Sequence, residues 1–227
     1  DFTSPSNRAR LNAADLYDTA VDILDGTALS LNQELFDLAL KPLKGSSIAM
    51  LEGHHFRQLT TGATSDMELC KLLGAKFLGT SAILRFCFRS SRGPIISASV
   101  WAHHGVGNGQ TGYYPVMRLE KVAADWEGID VFVIGHACKQ AVELRSRIRP
   151  RWTMKGGPDL AHRKVILVGA GGFSRAYVEG AKQGRVSRGG YAEKGMMTPT
   201  VLGAPIIHMT PRRTGENTVG LDISVEA

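Results

Sequence analysis

Three apolar runs in this chain end on histidine. IAMLEG (48–53) leads into His54 and His55, ISASVWA (96–102) into His103 and His104, and VFVIG (131–135) into His136, with Cys138 two residues later. Imidazole and thiolate are the common protein ligands for zinc, iron and related transition metals. One histidine after one strand is most simply a loop residue with its hydrogen bonds satisfied. Three strand ends of the same kind suggest a shared site, because ligands of open α/β sheets bind beyond the carboxyl ends of the strands. Glycines stand before His54, before His136 and after His104. Each lets the backbone turn sharply enough for a ring to reach inward. Five of the seven histidines belong to this pattern. His162 and His208 lack the setting and read as structural or surface residues, though His208 could approach the site.

The elements that must position these residues alternate between helical and extended patterns. Residues 3–8 read as a turn that caps a first helix over 10–26, which stops at Gly26. A second helix covers 29–43 and ends at Pro42. A short buried strand covers 46–53, and a helix over 65–74 is capped by Ser65 with Glu68 completing a capping box. Strands at 82–89 and 94–102 flank a turn at 90–93 and form a hairpin. The glycine-rich loop GVGNGQTG (105–112) precedes a helix over 116–126 and a buried strand over 130–135. Residues 143–152 read as an edge strand, 163–172 as a strand entering a glycine turn, and 204–209 as a last short strand. VGAGGFSR (168–175) superficially resembles a dinucleotide fingerprint. It comes late and lacks the acidic partner, so it reads as a turn closing the sheet, with Arg175 and Tyr177 able to face the site. The whole, 1–227, reads as one α/β domain with a mixed sheet.

Bulk properties narrow the function class. The 227 residues are 43% hydrophobic and 21% charged, with 26 glycines, an ordinary globular composition rich in loops. No apolar run approaches the roughly 20 residues of a membrane span. The net charge is +6. Much of the excess lies in ELRSRIRPRWTMK (143–155) and HMTPRRT (208–214), which suggests either an anionic partner or a solvated basic face. Three cysteines make a disulfide framework improbable and point to reducing cytoplasm. Cys70 and Cys87 read as buried small hydrophobes. The opening, DFTSPSNRARL, has neither a signal peptide nor an initiator methionine and reads as the interior of a longer protein.

Taken in order, EGHHF (52–56), WAHHG (101–105) and IGHACKQ (134–140), each after a strand, resemble the GN-H-D/E, H and GH-x-H motifs of the calcineurin-like metallophosphoesterases. HHGVGNGQTG and GGYAEKGMMTPTVLGAPII look most like phage-encoded members. The resemblance runs from Asp1 to about Arg213. The family's D-x-H and G-D-x-x-D motifs are not present in full, and Asp1 falls where the last Asp of the second would stand. The implied fold is a mixed β-sheet sandwich flanked by helices, its N-terminal strand–helix unit missing. The implied activity is hydrolysis of a phosphomonoester or phosphodiester through two divalent ions, manganese, zinc or iron.

By motif position, the resemblance implies that His54, His104 and His136 hold one metal and Cys138 the other. His55 would be the catalytic acid or phosphate-stabilising histidine. Three departures stand out: His54 replaces the asparagine, Phe56 replaces its acidic follower, and Cys138 replaces the second histidine. Together they shift the donor set toward zinc or iron. They also raise a second reading, a degenerate, non-catalytic protein of the same fold acting as a binding or virion-associated module. The implied partner is a phosphoester, nucleic acid included, with no membrane. The implied location is cytoplasm, the host's if the chain is phage-encoded.

Overall fold

A computed structural model describes residues 18–89, 95–107, 109, 111–152, 156–173, 177–180, 182–183, 186–187, 193, 196–213 and 219–227. The expected cap at 3–8, the first turns of the helix at 10–17, Asp1, the turn at 90–93 and Arg175 lie outside the described residues. The chain divides into two compact units, Asp1–Ala82 and Ile83–Ala227. Among the described residues no helix is long and apolar enough to cross a membrane.

In the first unit, helix α1 (Asp18–Leu35) runs straight through Gly26, where two separate helices were expected. A glycine in a helix interior costs only about 1 kcal/mol. Here Asp25, Ala28, Asn32 and Phe36 recur at helical spacing and are all buried, so burial on one face carries the helix past it. After a π-turn at Phe36–Leu40, a 3-10 turn at Lys41–Leu43 holds Pro42, where the helix was expected to end. Helix α2 (Ser65–Leu73) is capped by Thr64 rather than Ser65. The Thr64 hydroxyl accepts from the Met67 N–H at 3.2 Å, and Gly74 closes the helix at φ 69°. The Ser65 hydroxyl accepts from the Arg57 N–H at 3.0 Å instead. The expected strand at 46–53 contributes only β1 (Ala49–Met50), parallel to β2 (Lys76–Phe77). Phe36, Leu69 and Leu73 form the small core.

Buried polar groups hold the loop that leaves β1. Asp66 accepts from the Gly53 N–H at 2.8 Å. Asp25 pairs with Arg57 at 3.0 Å and accepts from the Thr60 N–H at 2.7 Å. Burial opposes ionisation of Asp25, but the Thr60 and Arg57 contacts outweigh it and hold its pKa below the ordinary carboxylate value.

The second unit is built on a five-stranded sheet in the order β3-β4-β5-β7-β6. Its strands are β3 (Ser81–Arg89), β4 (Ile95–His103), β5 (Val131–Ile134), β6 (Gln140–Trp152) and β7 (Pro158–Ala170). β4, β5 and β7 are parallel, and β6 runs antiparallel to β7 at the edge, as expected for 143–152. Helix α3 (Tyr114–Asp125) makes the crossover from β4 to β5. It buries Val116, Leu119 and Ala123 against Trp101, Phe132, Val165 and Leu167. The opposite face is covered by an antiparallel ribbon of β10 (Ile206–Arg213) and β11 (Val219–Glu226). Its Ile223 packs with Ala98, Val100, Val131, Ile166 and Val168. Two-sided burial explains the unbroken apolar runs VFVI and VILV. A short ribbon of β8 (Lys182–Gln183) and β9 (Val186–Ser187) completes the strands. The architecture is mixed α/β, as expected.

Cys70 is buried, its thiol donating to the Ala75 carbonyl at 3.1 Å, and burial pushes its pKa up. Cys87 is exposed, contrary to expectation, because β3 alternates and Cys87 shares its outward face with Arg85 and Arg89.

Asp25→Asn should destabilise the first unit by about 3 kcal/mol, since it leaves Arg57 buried without its charge partner. The folded-state pKa of Asp25 is depressed, so its stabilising share is present above the unfolded value of about 3.9 and is lost as pH falls through the folded one. Denaturant unfolding followed from pH 7 to pH 3 should show the wild type losing stability on acidification faster than the variant. Parallel curves would refute this.

Candidate metal centre

The site is assembled where β4, β5 and β7 deliver their carboxyl ends to one edge of the sheet. The β4–β5 ladder reaches His103↔Ile134, and the Gly135 N–H continues it by donating to the His103 carbonyl at 3.1 Å. Gly105 has φ 98°, and a Cβ there would lie 2.6 Å from the Gly135 oxygen. A Cβ on Gly135 would lie 2.9 Å from the His104 oxygen. The two backbones therefore touch, and no side chain fits between them. This approach brings the His104 and His136 rings to 5.2 Å between centroids, tilted by 51°. A ring nitrogen of each lies within 4.8 Å of one on the other. Two nitrogen ligands of one tetrahedral ion, each at about 2.1 Å, stand about 3.4 Å apart, a separation that this bound allows.

His136 reaches this position at a cost. Its φ is 61°, and the Ala137 N–H closes a γ-turn onto the Gly135 carbonyl at 2.7 Å. Cys138 follows with φ 50°. Left-handed backbone at two residues other than glycine within one loop marks a conformation held by its surroundings. The end of β7 supplies part of that hold: a Cβ on Gly172 would lie 3.0 Å from the Cys138 Cβ. The Cys138 thiol is exposed and donates to the His136 carbonyl at 3.3 Å. It is not gathered with the His104 and His136 nitrogens.

His103 faces the other way, as strand alternation requires. Its ring stacks on Trp101 at 5.5 Å, and its Nδ1 accepts from the Gly105 N–H at 2.7 Å. Burial, and then the neighbouring His104, lower its pKa. It is a neutral ring that braces the Gly105 turn.

His54 and His55 stand in the first unit on the loop after β1, with rings 3.9 Å apart and tilted by 42°. His54 is exposed and His55 half-buried. The Asp66 bond to Gly53 anchors the start of this loop to α2. His162 stands exposed on β7 beside Ser146, and His208 lies 3.5 Å from Glu226 on the β10–β11 ribbon. Tyr177 is exposed.

One residue of the edge escaped the sequence reading. Lys139 is buried and donates to the Gly109 carbonyl at 2.5 Å, tying the loop after β5 to the glycine-rich loop after β4. Burial lowers its pKa. With Gln140, Gly112 and residues 198–201 it lines a pocket of about 230 Å³. Its signal was a charged residue directly after the apolar strand and its turn.

No protein-family model matches the chain, and no curated protein or solved structure gives a match.

Gly105→Ala should cost at least about 2 kcal/mol, combining a strained positive φ with backbone overlap at Gly135. Denaturant unfolding measures it. A change below about 0.5 kcal/mol would mean that the two strand ends are not pressed together as described.

Proposed function

We propose that this chain acts as a metal-dependent phosphoesterase of the calcineurin-like type, hydrolysing a phosphomonoester or phosphodiester. The observation that supports this most is the facing pair His104 and His136, held on adjoining parallel strand ends by a strained turn and two glycines. Two imidazoles suit zinc or iron. His104 and His136 would hold the ion. A divalent ion there would acidify a bound water and neutralise phosphoryl oxygens.

His55 is the proposed hydrogen-bond donor or acid for the leaving oxygen. Cys138 joins a second ion of the dinuclear set as thiolate only by giving up its bond to the His136 carbonyl. Lys139 steadies the glycine-rich loop through its bond to the Gly109 carbonyl.

A second reading, the fold kept as a non-catalytic binding or virion-associated module, is favoured by one observation. The Cys138 thiol is exposed and turned to its own loop rather than to the histidine pair.

Elemental analysis of the purified chain tests the proposal. We expect at least about one equivalent of zinc, iron or manganese, falling at least tenfold in His104→Ala and in His136→Ala. Hydrolysis of a chromogenic nitrophenyl phosphodiester should fall with the metal. Metal retained in the His104/His136 double variant would overturn the assignment. Metal bound without hydrolysis would make the non-catalytic reading the better one.

A further inference from the structure

Strands β6 and β7 pair over their whole length, from Gln140↔Ala170 to Trp152↔Pro158. β5 meets β7 only from Ile166 to Gly169. Residues 146–152 and 158–164 therefore leave the sheet as an arm in which each strand has only the other as ladder partner. All of them except Arg147 and Ala161 are exposed. A bare two-stranded ribbon is marginally stable in water, so exposure on both faces needs a reason.

The two faces differ in chemistry. Alternation puts Arg147, Arg149 and Arg151 on one face, with Arg163 directly opposite Arg147. Like charges opposite one another in a ladder are unfavourable. Internal partners offset this only in part. Arg163 pairs with Asp130 at 2.7 Å, Arg151 with Asp159 at 2.9 Å, and Arg147 donates to the Trp126 carbonyl at 2.8 Å. Arg149 has no acidic partner among the described residues. With Lys164 the arm carries five cations against Asp159 alone, an excess of four out of the chain's net +6. The other face shows Ile148, Leu160 and Trp152, exposed by 60%, 58% and 79%, with Ser146, His162 and Lys164, whose ammonium donates to the Ile223 carbonyl at 2.6 Å.

We propose that the β6–β7 arm binds duplex DNA. A two-stranded ribbon fits the B-form major groove, and a row of arginines at alternate positions suits the phosphate backbone. Phosphate contacts carry no sequence information, so binding through the arginine row should depend little on sequence. This inference goes beyond the hydrolytic reading and does not require a metal.

The test is fluorescence anisotropy of a labelled duplex of about 20 base pairs in EDTA, titrated across salt concentrations. Each phosphate contact contributes about 0.9 to the slope of log K against log salt. The variant Arg147→Ala/Arg149→Ala/Arg151→Ala should bind at least tenfold more weakly and reduce the slope by roughly two to three. The matching Arg→Lys variant should keep most of the slope. The single variant Arg149→Glu carries the same test with the least risk to folding, and unfolding midpoints equal to wild type confirm that each variant is folded. Unchanged affinity and slope in the alanine variant would overturn the proposal. So would equal, equally arginine-dependent binding to anionic vesicles, tighter binding to duplex RNA, or a change in oligomeric state with DNA binding intact. EDTA separates this outcome from failure of the metal site.

Discussion

The hydrogen bond from the Gly135 N–H to the His103 carbonyl closes the last gap between β4 and β5, and the candidate site depends on it. It exists only because those strands are parallel and in one register, Val100↔Val131 through His103↔Ile134. That register is set by the core. Ala98 and Val100 are buried toward the β10–β11 ribbon, while Trp101 is buried toward α3. A slip of one residue would exchange the two faces of β4. It would also exchange the histidines, turning the Trp101-stacked His103 toward the site and His104 away. Packing of apolar side chains thus decides which of two adjacent imidazoles faces His136.

The strained turn after β5 rests on the same packing. Left-handed backbone at His136 and Cys138 costs of order 1–3 kcal/mol each. Such a conformation persists where its surroundings leave no alternative. Gly169 lets the Lys139 carbonyl approach β7, where a Cβ would lie 2.6 Å from it, and Gly172 leaves room for Cys138. The Lys139 ammonium then fixes the far side of the loop to Gly109. Three chain segments that share no sequence proximity therefore define the direction of one imidazole.

The sequence exposed those parts whose signal is local and missed those decided by partners. Continuous apolar runs at 131–134 and 165–168 are readable as buried strands because both faces of the sheet are covered. The convergence of His104 and His136 was legible from repeated strand–histidine endings. Gly26 misled because a helix break is judged locally, while Ala28, Asn32 and Phe36 keep that face buried. The cap shifted from Ser65 to Thr64 because the Ser65 hydroxyl is taken by the Arg57 N–H. β11 carries a readable alternation, Val219, Leu221, Ile223 and Val225, yet was not expected, because a final strand gains its meaning only from pairing with β10. Cys87 looked apolar by its neighbours, but alternation in a strand reverses exposure at every step.

The basic stretch at 143–155 looked like one feature and divides into two. Arg145 bonds Glu120 and Glu143 where the strand still lies in the sheet, so its charge is spent on packing against α3. Arg147, Arg149 and Arg151 lie beyond that support. β6 connects this region to the site directly: it begins at Gln140, four residues after His136, and ends at Trp152. Arg147 lies seven steps and Arg151 eleven steps from Gln140, about 24 and 37 Å along the strand at about 3.4 Å per step. No single phosphate can meet both the arginine row and the histidine pair. A duplex rises about 3.4 Å per base pair, so roughly seven to eleven base pairs span the distance. If the arm and the histidine pair serve one substrate, that substrate is a polymer, and the arm governs how it is held rather than how it is cut.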